Sequence, residues 1–150
     1  VNKNRHEITR LDDYTQMIRE EGMIPGLSAH MPELLLYSDE NGYDVETYIQ
    51  IYNCMGFLMQ VEVETVAQII HNAKKPVIKP MAAGRATPFV GLNFSWNTIR
   101  EQDMITVGCT DAEEAMEDIE ISRAAIERRI PVIGKRSSPN VKQDAFGKEG

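Results

Sequence analysis

The strongest constraint on this chain is a repeated alternation of a short apolar strand and a helix. Strand candidates begin near residues 23, 47, 76 and 104, and each is followed by a helical stretch. Strands separated by helices are joined by right-handed crossovers and build a parallel sheet. A complete eight-fold barrel of such units takes about 250 residues. A chain of 150 residues holds about four units, so it forms either half a barrel or a small open sheet.

Taken in order, residues 1–10 are polar and carry no periodic pattern. Residues 11–21 read as a helix, with Leu11, Tyr14, Met17 and Ile18 on one stripe and Gly22 as its stop. Residues 23–28 are a strand candidate in which Pro25 favours a strand start or an edge. Residues 32–37 form a second, short helical stretch, closed by the turn cluster 39–42. Residues 45–53 are rich in β-branched and aromatic side chains and read as the next strand. Residues 64–74 follow as a helix, with Val63, Val66, Ala67, Ile70 and Ala73 on one face. Lys74 and Lys75 complement its dipole and Pro76 blocks continuation. Residues 76–81 are a third strand, and residues 89–99 an apolar helix containing the only tryptophan, Trp96. Met104, Ile105 and Val107 supply the fourth strand. Its helix carries the stripe Ala112, Ala115, Met116, Ile119 and Ile126 and closes at Arg128 and Arg129. Residues 1–130 are read as one unit, and residues 131–150 as a polar tail expected to be flexible.

The junction between the fourth strand and its helix is the most chemically suggestive stretch. Gly108 sits at the strand's mouth, Thr110 or Asp111 can cap the helix, and Glu113 and Glu114 complete a capping box. Backbone N–H groups beside a glycine that permits close approach can hold a phosphate. The same pattern also serves as an ordinary strand-to-helix turn in any α/β protein.

Charge narrows the partners. The formal net charge of −7 argues against nucleic acid and anionic membranes, both of which select a basic footprint. No apolar run approaches the length of a membrane span. Cys54 and Cys109 lie far apart without metal-ligand spacing, which reads as free thiols and a cytoplasmic location.

Residues 22–33 (GMIPGLSAHMPE) resemble a run at the fifth barrel strand of the aldo-keto reductases, especially the bacterial ferredoxin-associated class; Gly26, Leu27, Ser28, His30, Pro32 and Glu33 stand in matching order. Further resemblances follow in the same sequence. Tyr52-Asn53 is similar to the end of that family's sixth strand, and Lys79-Pro80-Met81-Ala82-Ala83-Gly84 to its seventh. Trp96 stands near the tryptophan of its following helix, and residues 108–118 resemble the segment after its eighth strand. The resemblance spans residues 11–129 and implies an α/β fold, a partial (half) TIM barrel of about four βα units with parallel strands. It implies NAD or NADP as cofactor and a small carbonyl compound as substrate of an NAD(P)(H)-dependent oxidoreductase. Ser28, His30, Lys79, Pro80, Gly84, Gly108, Thr110, Glu114 and Asp118 are the implied cofactor-binding residues. The family's catalytic tyrosine, lysine and aspartate come from earlier strands that are not recognisable here. No catalytic residue is therefore assigned, and the isolated chain is expected to lack turnover.

The chain departs from the family at two positions of the last motif, where Asp118 replaces asparagine and Ala112 replaces proline. Gln50 is one residue out of step with the family's nicotinamide-binding glutamine, and one residue flips the face of a strand. No Arg or Lys lies between Val107 and Ile121, so no clasp for a 2′-phosphate is visible. Lys79, inside an apolar strand, has three readings: a lysine at the barrel mouth, a structural ion pair, or the Schiff-base nucleophile of a class I aldolase. Gly84-Arg85 is read either as a pyrophosphate contact or as an ordinary loop. Cys109 is read as a reactive thiol or a small buried filler. A non-catalytic half-barrel is the remaining alternative, and its open edges and apolar inner face make self-association expected.

Overall fold

The computed structural model describes residues 1–80 and 88–132. Within them the chain runs α1 (Leu11–Glu20), β1 (Gly26–Ala29), α2 (Glu33–Asn41), β2 (Thr47–Gln50), α3 (Val63–Asn72), β3 (Val77–Pro80), α4 (Pro88–Thr98), β4 (Met104–Thr106) and α5 (Ala112–Glu127). The four strands form one sheet in the order β1-β2-β3-β4, and every pairing is parallel. The protein is therefore an α/β chain in which strands and helices alternate. The tail expected beyond residue 132 lies outside the described residues, as do Gly84 and Arg85.

Local chemistry sets most boundaries. Gly22 and Gly42 adopt positive φ of 71° and 67°, a backbone state that costs a glycine little, and they end α1 and α2. Sheet pairing beside β1 begins at Pro25, whose carbonyl accepts the Glu46 N–H at 2.9 Å. That leaves Met23 and Ile24 outside the strand and exposed, so the sheet strand starts three residues later than the apolar pattern does. Gly26 is closely approached by the next strand: a Cβ there would lie 3.0 Å from Thr47 Cγ2, so a larger residue would have to displace that side chain.

Alternation along the strands separates two faces. Leu27, Tyr48 and Val77 point into the main core, where they meet Leu11, Leu35, Val66 and Ile70 from the helices. Ile105 and Val107 point to the same side and join a smaller cluster around Leu92, Ile121 and Trp96. The intervening residues face the other way. Gly26, Ser28, Met104 and Thr106 are exposed there, and Thr47, Ile49, Ile78 and Pro80 are half-buried.

Two helical stripes differ from expectation. In α1 the buried residues are Leu11 and Thr15, while Tyr14 and Met17 are more than half exposed. Arg19, bound to Asp44 at 2.8 Å and Glu46 at 2.6 Å, ties the helix to the loop before β2. In α5 the buried residues are Asp118, Ile121, Ala124 and Ala125. Met116, Ile119 and Ile126 are exposed. The side chains at 121, 124 and 125 are spaced as one helical face, and its two alanines permit close approach of a neighbouring element. The bulkier stripe lies elsewhere on the helix.

Candidate functional site at the strand C-termini

Parallel pairing puts the C-terminal ends of all four strands at one end of the sheet, the end at which open α/β sheets bind ligands. Ser28 lies within β1, exposed, in register with Ile49 of β2, which is itself in register with Ile78 of β3. His30 follows immediately, with its Nδ1 3.4 Å from the Leu58 carbonyl. Pro80 ends β3 opposite Thr106. Gly108 lies two residues beyond β4, exposed, with open space where a side chain would project. His30, Gly108 and Thr110 therefore follow the C-terminal ends of their strands and Pro80 ends β3, whereas Ser28 is level, through Ile49 and Ile78, with Met104 at the start of β4.

The turn into α5 is a closed capping box. Asp111 Oδ1 accepts the Glu114 N–H at 2.9 Å, and Glu114 Oε2 accepts both the N–H and the hydroxyl of Thr110 at 2.6 Å. These bonds satisfy orphan donors of the first helical turn with the chain's own carboxylates. Glu113 adds a third acidic group. An incoming phosphate would meet negative charge here, so this turn is better suited to a ligand that donates hydrogen bonds than to an anion.

Lys79 takes another direction. Its side chain shares the face of Val77 and is 1% exposed. The ammonium lies 3.6 Å from Asp103 Oδ2, donates to the Thr98 carbonyl at 3.4 Å, and sits 4.8 Å from the Tyr52 ring centroid. This geometry is that of the ion-pair reading. Desolvation lowers the Lys79 pKa, and the Asp103 charge works against that shift.

Asp103 is the hub of the cluster and was not apparent from the sequence. It accepts from Arg100 Nη2 at 2.7 Å and from the Val77 N–H at 2.9 Å. Arg100 also donates to the carbonyls of Ala73 and Lys75 at 2.5 and 2.9 Å, stitching the end of α3 to the turn before β4. The available signal was a basic and an acidic residue three apart, directly before an apolar strand. Gln50 points to the helix side with Tyr48 and is fully buried, its amide donating to the Ile51 carbonyl at 3.2 Å while Oε1 has no partner. Asn53 organises the next loop by accepting the N–H groups of Met55 and Phe57 at 3.1 and 2.9 Å.

Asp118 lies behind β4, where a cavity of about 410 Å³ opens between that strand and α5. Ile105, Val107, Ile119 and Ile126 supply apolar walls, and Trp96 and Asp118 also border the space. Asp118 is 7% exposed, with Oδ2 accepting weakly from Cys109 Sγ at 3.5 Å and Oδ1 without a partner. Burial raises its pKa. The Trp96 indole N–H is also buried and unpartnered. Cys109 itself is exposed rather than a buried filler. Partial desolvation and the Asp118, Glu114 and Asp111 carboxylates push its thiol upward, away from the thiolate that reactivity requires. Among the described residues no cluster of metal-ligating side chains occurs, and no helix is long and apolar enough to cross a membrane.

Set beside known proteins, the chain matches no family model, no curated protein and no solved structure. The aldo-keto reductase resemblance therefore rests on the motif residues alone.

Proposed function

We propose that this chain is a half-barrel of aldo-keto reductase type that binds NAD(H) across the C-terminal ends of its strands. It is the nucleotide-holding part of an oxidoreductase acting on small carbonyl compounds. The observation that supports the reading is that His30, Pro80, Gly108 and Thr110 stand at or just past the C-terminal ends of parallel strands, in the order their motifs imply. The residues fit a dinucleotide unevenly. Glu114 offers carboxylate oxygens to amino and hydroxyl groups, whereas Asp118 is buried, its Oδ1 shut off from solvent. Ser28 can hydrogen-bond a carboxamide, and Gly108 leaves room for close approach. The dinucleotide supplies a transferable hydride; the chain's residues bind and orient it.

The acidic turn at α5 favours NAD over NADP. A 2′-phosphate brought to Asp111, Glu113 and Glu114 would be repelled, and residues 107–121 contain no Arg or Lys to offset that repulsion. The test is titration with NADH and NADPH, read by energy transfer from Trp96 and by thermal stabilisation. Saturable NADH binding at least tenfold tighter than NADPH is expected, with no turnover of a carbonyl panel by the chain alone. Binding of neither dinucleotide at millimolar concentration would remove the nucleotide reading; tighter NADPH binding would overturn the charge argument.

The Lys79 ammonium lies in a buried cluster with Asp103 and is shielded from solvent, which favours the structural reading over the class I aldolase alternative. Borohydride trapping with a carbonyl compound is expected to leave Lys79 unmodified.

A further inference from the structure

The unpaired parts of the sheet are complementary to one another. Among the described residues β1 pairs only with β2, and β4 only with β3. Exposed apolar side chains stand at both edges, with Met23 and Ile24 beside β1, Met104 in β4, and Met17 and Ile119 on the flanking helices. Parallel sheets are ordinarily covered on both faces, and an open edge invites another strand.

We propose that a second copy of this chain completes the sheet, the β4 edge of each copy pairing in parallel with the β1 edge of its partner to give an eight-stranded ring about a two-fold axis. The topology selects this occupant. All strands run one way in the order β1-β2-β3-β4, so a two-fold along the ring axis sets β1 of the partner beside β4 in the same parallel sense. Four strands are half of the eight at which such a ring closes with its interior filled by side chains. The residues that would fill it are on the face turned from the helices: Ser28, Ile49, Ile78, Met104 and Thr106. At each junction α5 of one copy lies near α1 of the other, which gives Ile119 and Met17 a neighbour. The closed symmetry limits assembly to two copies. The inference rests on the order and parallel sense of the four strands and not on nucleotide binding, so it is tested without any dinucleotide.

Sedimentation velocity of the full chain is expected to show a species of twice the 17.0 kDa chain mass, strengthened by salt because each copy carries a net charge of −7. Ile24→Lys and Met104→Lys, one on each edge, are each expected to weaken association at least tenfold. Val90→Lys, on an exposed site of α4, should leave it unchanged. Concentration-dependent hydrogen exchange on the unmodified chain supplies a readout independent of variant folding. Amides of residues 23–29 and 104–107 should slow as the dimer forms, while those of the α3 surface should not. A monomer at all concentrations, an open-ended series of larger species, or a dimer that protects neither edge would each overturn the proposal. Loss of NADH binding with the dimer intact would count only against the nucleotide reading.

Discussion

At the scale of single residues, two buried aspartates carry opposite pH signatures. For Asp103, burial raises the carboxyl pKa, but hydrogen bonds from Arg100 and from the Val77 and Arg100 N–H groups outweigh it and hold the folded value below 3.8. A depressed folded pKa means that the contribution is complete above the unfolded value and fades as pH falls through the folded one. Asp103→Ala strands Lys79 and Arg100 beside a buried gap, and a loss of about 3 kcal/mol is expected at pH 7. Lys79→Met should cost less, because Asp103 keeps Arg100 and two backbone donors. Urea unfolding of the two variants checks the order, and equal losses would show that Lys79 is the indispensable partner. Asp118 is the reverse case. Burial lifts its folded pKa above 3.8, so its charge opposes folding at neutral pH, and stability present below the unfolded value is lost as pH rises through the folded one. Asp118→Asn is expected to stabilise the monomer by about 1 kcal/mol at pH 7, with the gain vanishing below pH 4. A pH-independent gain would point to packing rather than charge.

At the scale of elements, the start of α5 is secured by the chain's own side chains. Asp111 caps it, whereas no side-chain hydrogen bond caps α1, α2 or α3. Removing the Asp111 carboxylate with Asp111→Ala should cost about 1 kcal/mol and loosen the first turn of α5, as hydrogen exchange at Ala115 would report. This cap was legible in the sequence because its chemistry is local: a short acceptor, then glutamates three residues on. Strand and helix positions were legible for the same reason, since apolar runs, glycines and prolines act within a few residues. Facing was less legible. Tyr14 and Met17 of α1 and Met116 of α5 fit an apolar period, yet they are exposed. Which line of a helix is buried depends on the partner it meets, and Thr15 and Asp118 are buried by that geometry rather than by hydrophobicity. The site divides along the same line. Gly108, Thr110 and Glu114 form one local turn, whereas the pairing of Lys79 with Asp103 crosses two elements and leaves no periodic mark.

At the scale of the whole molecule, unequal cores imply unequal stability. The larger cluster joins residues from α1, β1, α2, β2, α3 and β3, including the fully buried Leu35, Tyr48, Val66 and Val77. Among the described residues the smaller one has Leu92 and Ile121 as its buried members, with Trp96, Ile105 and Val107 packed against them. Burial of apolar area contributes about 25 cal/mol per Å², so among the described residues the unit formed by α4, β4 and α5 has the smaller apolar core to hold it. Besides the β3–β4 pairing, the Arg100–Asp103 cluster tethers it, Asp103 accepting the Val77 N–H and linking β3 to the turn before β4. A chain arranged this way opens in steps, the weaker unit first. Dilute, monomeric protein in native-state hydrogen exchange should therefore show α5 and β4 amides opening at lower free energy than those of β2 and α3. Leu35→Ala should lower the global transition by about 3 kcal/mol. Ile121→Ala should instead lower the opening energy of residues 104–127 while leaving the slowest amides of β2 nearly unchanged. If both substitutions depress every protected amide equally, the two clusters act as one cooperative core, and the edge beside β4 is as firmly held as the centre of the sheet.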